Sequence, residues 1–175
     1  MTDQPAEPHR PLVVVMGVSG AGKSTVGTAL AERLGLPYRD ADAFHPQANI
    51  DKMAAGHPLD DRDRAPWLQA IGAWLASRDG AGAVASCSAL KRRYRQTLLD
   101  AAPAIRFLHL SGAAEVISDR MQHRPGHFMK AGMLESQIQT LEPLGHDEPG
   151  IAIDVRQPVE AIVDEFVRYL DRTRA

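Results

Sequence analysis

The sequence is poor in several things. It has one cysteine, Cys87, only 5% aromatic residues, no long apolar run and no excess of positive charge. Each shortage excludes something. A lone cysteine cannot close an internal disulfide, so a reducing, cytoplasmic setting is the default expectation. No stretch approaches the ~18 apolar residues that a bilayer-spanning helix needs. The first ten residues are polar and proline-rich, without the apolar centre of a signal peptide, and read as a flexible tail. A net charge of -2 and a pI near 6.4 give no basic stripe for nucleic acid. There is no internal repeat and no low-complexity tract.

What is present is an alternation of short apolar segments and amphipathic ones. With 175 residues, positions 11–175 read as a single domain. Leu12–Met16 is wholly apolar and suits a strand buried on both faces. Ser24–Leu34 has helical spacing and stops at Gly35. Pro37–Asp40, Ala83–Cys87, Ile105–Leu110 and Ile151–Asp154 read as further strands. Asn49–Ala55, Pro66–Ser77, Leu90–Ala101, Ala113–Gln122, Gly132–Leu141 and Val159–Arg172 read as helices, with Pro66 near the start of its own. Strands alternating with helices predict an α/β fold, a five-stranded parallel sheet covered on both faces.

Gly17-Val18-Ser19-Gly20-Ala21-Gly22-Lys23-Ser24 matches G-x-x-x-x-G-K-[ST], straight after a buried strand and opening a helix. The glycines let backbone N–H groups turn onto phosphate oxygens, and the helix start adds unpaired donors. Lys23 reaches the β- and γ-phosphates, and the Ser24 hydroxyl suits Mg²⁺. The bland alternative is a Gly-rich turn without a ligand. ATP and Mg²⁺ follow from the motif, but the phosphate acceptor does not. A water-directed GTPase or motor usually carries Asn-Lys-x-Asp or an effector domain. The first is absent, and the length leaves little room for the second, which favours a small kinase.

Asp40-Ala41-Asp42 closes the second strand at the sheet edge where parallel-sheet enzymes bind ligands. One carboxylate can support the Mg²⁺ shell and the other accept the proton of an attacking hydroxyl; a helix cap is the plain alternative. Downstream, His45 to Met53 and Gly56 to Leu68 mix charge, His and Trp as a sugar-acid pocket would. Singly, Asp60, Asp63 and Arg64 read as surface, and Trp67 and Leu68 as core. Ser88 and Lys91 end the third strand, where they can meet acceptor oxygens. Arg92 and Arg93 read as solvated, and Cys87 as inert packing. Arg120 and Arg124 precede the Gly/Pro-marked segment Pro125 to Phe128, and the stretch of about 120–132 has the composition of a lid; a capped helix end is the alternative.

These blocks resemble the gluconate kinase family of small P-loop kinases, which are built like nucleoside-monophosphate kinases with a mobile lid. Met16 to Ser24, Asp40 to Met53, Gly56 to Leu68, Cys87 to Arg95 and Arg124 to Phe128 all carry family patterns, and the similarity runs from about residue 12 to the C-terminus. The resemblance implies ATP-dependent phosphorylation of D-gluconate. It implies ATP contacts from Gly17 through Thr25, Arg120, Arg124 and Gln157, and metal contacts from Ser24 and Asp40. Lys23, Asp42 and Arg124 are the implied catalytic residues. Asp42, His45, Lys52, Arg62, Ser88, Lys91 and His127 are the implied substrate contacts. A homodimer is the family's suggestion. One expected element is missing: no Asp-x-x-Gly follows the third strand, so metal support falls to Asp40. Two other readings stay open, a kinase for another acceptor such as shikimate and a metabolite-independent nucleotide-binding regulator.

Overall fold

The computed structural model describes residues 9–122 and 131–173. Strands β1 (Leu12–Met16), β2 (Tyr38–Asp40), β3 (Ala83–Ser86), β4 (Ile105–Ser111) and β5 (Gly150–Asp154) form one sheet. All its pairings are parallel, in the order β2-β3-β1-β4-β5. The helices are α1 (Lys23–Leu34), α2 (Gln47–Ala54), α3 (Asp61–Ser77), α4 (Arg92–Ala101), α5 (Ala114–Gln122), α6 (Ala131–Thr140) and α7 (Val159–Arg172).

β1 lies at the centre because all five of its residues are apolar and none touches water. Val13 and Val15 join the layer holding Val26 and Leu30 of α1, Ile117 of α5, Leu134 of α6 and Phe166 of α7. Leu12, Val14 and Met16 join Leu68, Ile71 and Leu75 of α3 and Leu98 of α4 on the opposite face. A strand with two apolar faces needs cover on both, and each such side chain contributes about 1.5–3 kcal/mol when fully buried. The alternation thus explains the three-layer arrangement and leaves the carboxyl ends of β1, β2 and β3 side by side.

The sequence places β1 and α7 to the residue. α3 departs from expectation. It begins at Asp61, five residues before Pro66, which falls inside the helix. Asp60 accepts from the Asp63 N–H at 2.8 Å, and the Asp63 carboxylate accepts from the Asp60 N–H at 2.9 Å. This reciprocal cap starts the helix early enough to override the proline, whose missing N–H costs only the bond to the Arg62 carbonyl. Asp60 and Asp63, read singly as surface, are therefore a helix start. A 3-10 turn, Ala41–Phe44, follows β2 and was not anticipated; the Asp40 side chain caps it. Arg10, assigned to the tail, is tied down by its N–H to the Gly80 carbonyl (3.1 Å) and its guanidinium to the Leu34 carbonyl (2.5 Å). Residues 123–130, the centre of the expected lid, lie outside the described residues.

Candidate active site

The loop between β1 and α1 takes its shape from its glycines. Gly17 has φ 148°, and a Cβ there would stand 2.9 Å from the Leu110 carbonyl oxygen. Gly22 is left-handed, φ 94°, at the N-cap of α1, and no acidic residue occupies that helix's first turn. The positive end of α1 therefore opens onto the loop unneutralised. The Gly17 N–H donates to the Ser88 carbonyl at 3.3 Å, which ties the loop to the segment after β3.

Three charged groups converge on this loop. Lys23 Nζ donates to the Val18 carbonyl at 3.0 Å. Burial pulls its ammonium below the ordinary lysine range, against the opposing fields of Asp40 and Asp42. Asp40 Oδ2 accepts from the Ser24 hydroxyl at 3.1 Å, and Oδ1 accepts from the Asp42 N–H at 2.9 Å. One carboxylate thus both caps the turn and orients the Ser24 oxygen. Asp42 itself is pinned only by its backbone. Its side chain is 88% exposed, with Oδ1 4.0 Å from His45 Nε2.

His45 is the anchored member of the acceptor half. Its ring stacks on Trp67 at 4.6 Å between centroids, with 5° between planes, and Trp67 Nε1 donates to the Ala41 carbonyl at 2.8 Å. The Asn49 amide donates to the Asp63 carbonyl at 2.9 Å, bracing α2 against α3. Burial lowers the His45 pKa, Asp42 opposes and Arg64 adds to the lowering, so the imidazole favours its neutral form. A cavity of about 390 Å³ joins the two halves, lined by Ser19, Gly20, Gly22, Lys23, Ser24, Asp40, Asp42, His45, Leu59, Arg64, Trp67, Ser88 and Gln137, among others. Its described cations are Lys23 and Arg64.

The structure brings together many of the expected residues and separates others. Ser19, Gly20, Gly22, Lys23, Ser24, Asp40, Asp42, His45 and Ser88 line the cavity. Gly17, Val18 and Ala21 are buried beneath the loop, and Thr25 lies in the first turn of α1. Arg62 is exposed and outside the cavity; the arginine that faces it is Arg64, two residues on and so on a different face of α3. Lys52 is held by Asp63 at 2.6 Å, and Lys91 by Asp61 at 3.3 Å, both in ion pairs of the α2–α3–α4 surround. Arg120 donates to the Val155 carbonyl at the turn after β5. Gln157, in that same turn, bonds Glu165 at 3.4 Å and does not reach the cavity. Arg124 and His127 lie outside the described residues. Arg92 and Arg93 are exposed in ion pairs with Asp147 and Asp61. Cys87 is buried, and burial pushes its thiol up to about 12, far from a nucleophile's range.

Sequence reasoning missed three features. Gln137, on α6, accepts from the Ser19 N–H at 2.7 Å; nothing in its local pattern marks it. Arg64 reads from the sequence as surface, although its spacing from Trp67 along α3 puts both on the cavity wall. Arg95 is fully buried in a two-pronged pair with Glu148 (2.6 and 2.9 Å), and its third nitrogen donates to the Ala89 carbonyl at 2.9 Å. Ala89 is the non-glycine residue with positive φ, 44°, among the described residues.

Ser24 and Asp40 offer two hard oxygens in contact, and no group of three His, Cys, Asp or Glu side chains gathers among the described residues. That donor set fits Mg²⁺, which keeps several waters and leans on substrate phosphates.

Comparison with known proteins resolves the family. The shikimate kinase family model matches residues 19–170. A gluconokinase of Gluconobacter oxydans is 47% identical over 159 residues, covering 90% of this chain and 89% of that protein. The chain belongs to the gluconokinase family. The thermoresistant gluconokinase of Escherichia coli is 41% identical, with 92% and 94% covered. The crystal structure of a gluconokinase from Sinorhizobium meliloti superposes with a TM-score of 0.84 at 50% identity, covering 93% of this chain and 92% of that one. The gluconokinase-family chain is thus an enzyme with the parallel α/β sheet that its alternating pattern predicts and the P-loop kinase fold that its loop motif and family resemblance imply.

Proposed function

We propose that the chain transfers the γ-phosphoryl group of ATP to the primary hydroxyl of D-gluconate, giving ADP and 6-phospho-D-gluconate. The observation that carries this reading is the single cavity in which Lys23 and Ser24 of the phosphate loop meet Asp42, His45 and Arg64, in a chain close to gluconokinases along most of its length. The bond between the γ-phosphorus and the bridging oxygen breaks toward ADP as the sugar oxygen bonds to phosphorus. The hydroxyl proton passes to the Asp42 carboxylate, which is free to swing because its side chain is exposed.

Lys23 and the loop N–H groups hold the β- and γ-phosphates. Ser24 and Asp40 would hold Mg²⁺, which when bound neutralises charge on the phosphates. Arg64 supplies a fork for the sugar-acid carboxylate. His45, neutral and stacked, serves hydroxyls rather than charge. Ser88 adds a hydrogen-bonding oxygen on the same wall. Arg120, and Arg124 from outside the described residues, are assigned to ATP. A shikimate acceptor is the weaker reading: shikimate kinases enter through a family model and through structures at 14–18% identity, whereas relatives at 41% and 47% identity over most of the chain are gluconokinases. No described helix is long and apolar enough to cross a membrane, and the buried, unreactive Cys87 suits a reducing cytoplasm.

The test is ADP release from Mg-ATP with D-gluconate, with shikimate, and with neither. Gluconate-dependent turnover with 6-phosphogluconate as product supports the assignment; equal turnover in all three refutes it. Asp42→Asn should then cut kcat by orders of magnitude with unchanged thermal stability. Near-normal turnover would remove Asp42 as the base.

A further inference from the structure

One polar contact in the cavity is not used by the mechanism above. The Ser19 N–H, a donor of the phosphate loop, is met by the side chain of Gln137 from α6 at 2.7 Å. The two residues are 118 positions apart in sequence. α6 is seated by Leu134 and Ile138, which pack into the core layer beside α1 and α7, so the side chain is carried on a supported helix. Gln137 is half-buried and lines the cavity.

The chemistry of the contact fixes its sense. A backbone N–H only donates, so the atom facing it is the amide oxygen of Gln137. The amide nitrogen, on the same planar group, then carries two hydrogens that no described residue accepts. The Ser19 bond pins this group to the phosphate loop, not to the acceptor wall at His45 and Trp67. A neutral donor held there adds no charge for Asp40 or Asp42 to neutralise. It matches a group whose negative charge spreads over its outer oxygens as transfer proceeds.

We propose that Gln137 is a catalytic residue that donates from its amide nitrogen to the terminal phosphoryl group of the nucleotide, with the Ser19 N–H fixing its orientation. This rests on the gluconate-phosphorylating reading. The loop motif alone does not contain the contact, since its partner comes from the helix beyond β4 and α5.

The test compares wild type with Gln137→Met, which keeps the side-chain length and loses both hydrogen-bonding ends, and Gln137→Glu, which keeps an acceptor for Ser19 and loses the donors. Titrations with Mg-ADP and with a non-hydrolysable Mg-ATP analogue are run beside steady-state kinetics. The expected result is a fall in kcat of about tenfold to a hundredfold in Gln137→Met, with the gluconate KM nearly constant. Its affinity for the ATP analogue weakens while that for ADP holds, because ADP lacks the group contacted. Gln137→Glu falls further, since a carboxylate replaces a donor beside phosphate.

Wild-type kcat in Gln137→Glu would mean that Gln137 only anchors α6, and would overturn the proposal. So would an equal loss of ADP and ATP-analogue affinity, or a loss confined to the gluconate KM. Thermal melting of each variant identifies unfolding, and the two nucleotide titrations read the contact even where turnover is absent. If wild type itself shows no gluconate-dependent turnover, the substrate reading fails, and the ADP-versus-ATP comparison still judges Gln137.

Discussion

Replacing Glu148 by glutamine removes one charge from a pair that is almost wholly shielded from water. Arg95 has no exposed side-chain surface and Glu148 has 5%. Burial alone would raise the Glu148 carboxyl, but the Gly145 N–H and the Arg95 guanidinium outweigh it and hold the pKa below the ordinary 4.5. Its stabilising contribution is therefore present above that value and lost as the pH falls through the lowered one. Glu148→Gln leaves the guanidinium buried and uncompensated, a cost of about 3–5 kcal/mol. In urea, with a slope of about 2 kcal/mol/M, the unfolding midpoint should drop by about 1.5–2.5 M at constant slope. The double variant Arg95→Met with Glu148→Leu buries no charge and should recover most of that loss.

Turnover should not recover with it. The Ala89 carbonyl would lack its donor, and Ala89 sits in a conformation that costs an L-residue about 1–2 kcal/mol. The neighbouring Ser88 carbonyl is the one that holds Gly17 of the phosphate loop. The measurements are urea unfolding followed by circular dichroism, and kcat for each variant. A single-variant loss below about 1 kcal/mol would refute the buried-charge reasoning, being no more than an exposed pair is worth. Full activity in the double variant would refute the link from Arg95 to the loop.

Other outcomes follow from neighbouring groups. His109 is 3% exposed, and neither ring nitrogen has a hydrogen-bond partner among the described residues. Burial lowers its pKa, Arg95 adds to this, and Glu148 opposes. The unfolded chain takes up that proton first, so stability should fall as the pH drops below 6.5, by up to about 1.4 kcal/mol per pH unit. His109→Met should flatten that slope and raise stability at pH 7 by about 1 kcal/mol, read by denaturation across pH 5–8; an unchanged slope would assign the acid lability elsewhere. Arg64→Ala should raise the gluconate KM about tenfold to a hundredfold, while Arg62→Ala should leave it within experimental error, because only Arg64 faces the cavity. The reverse pattern in a KM series would restore Arg62 to the site.

The sequence by itself determined the layers and the phosphate end. β1 is apolar at every position, so it had to be central. The Gly17 to Ser24 loop carries its geometry in its own residues, because left-handed backbone at Gly20 and Gly22 is a local property of glycine. Asp40 and Asp42 were legible for a related reason: the end of a strand in a parallel sheet has a known place. The acceptor half was legible in composition but not in assignment. Whether Arg62 or Arg64 faces inward depends on the rotation of α3, which a reciprocal Asp60–Asp63 cap fixes and a proline signal misdirects. Lys52 and Lys91 looked like ligand groups because their partners, Asp63 and Asp61, are distant until α2, α3 and α4 pack. Gln137 and the Arg95–Glu148 pair were decided only by tertiary structure. Each joins segments separated by 53 residues or more, and a side chain's partner across such a distance is set by how helices seat on the sheet, not by any local spacing.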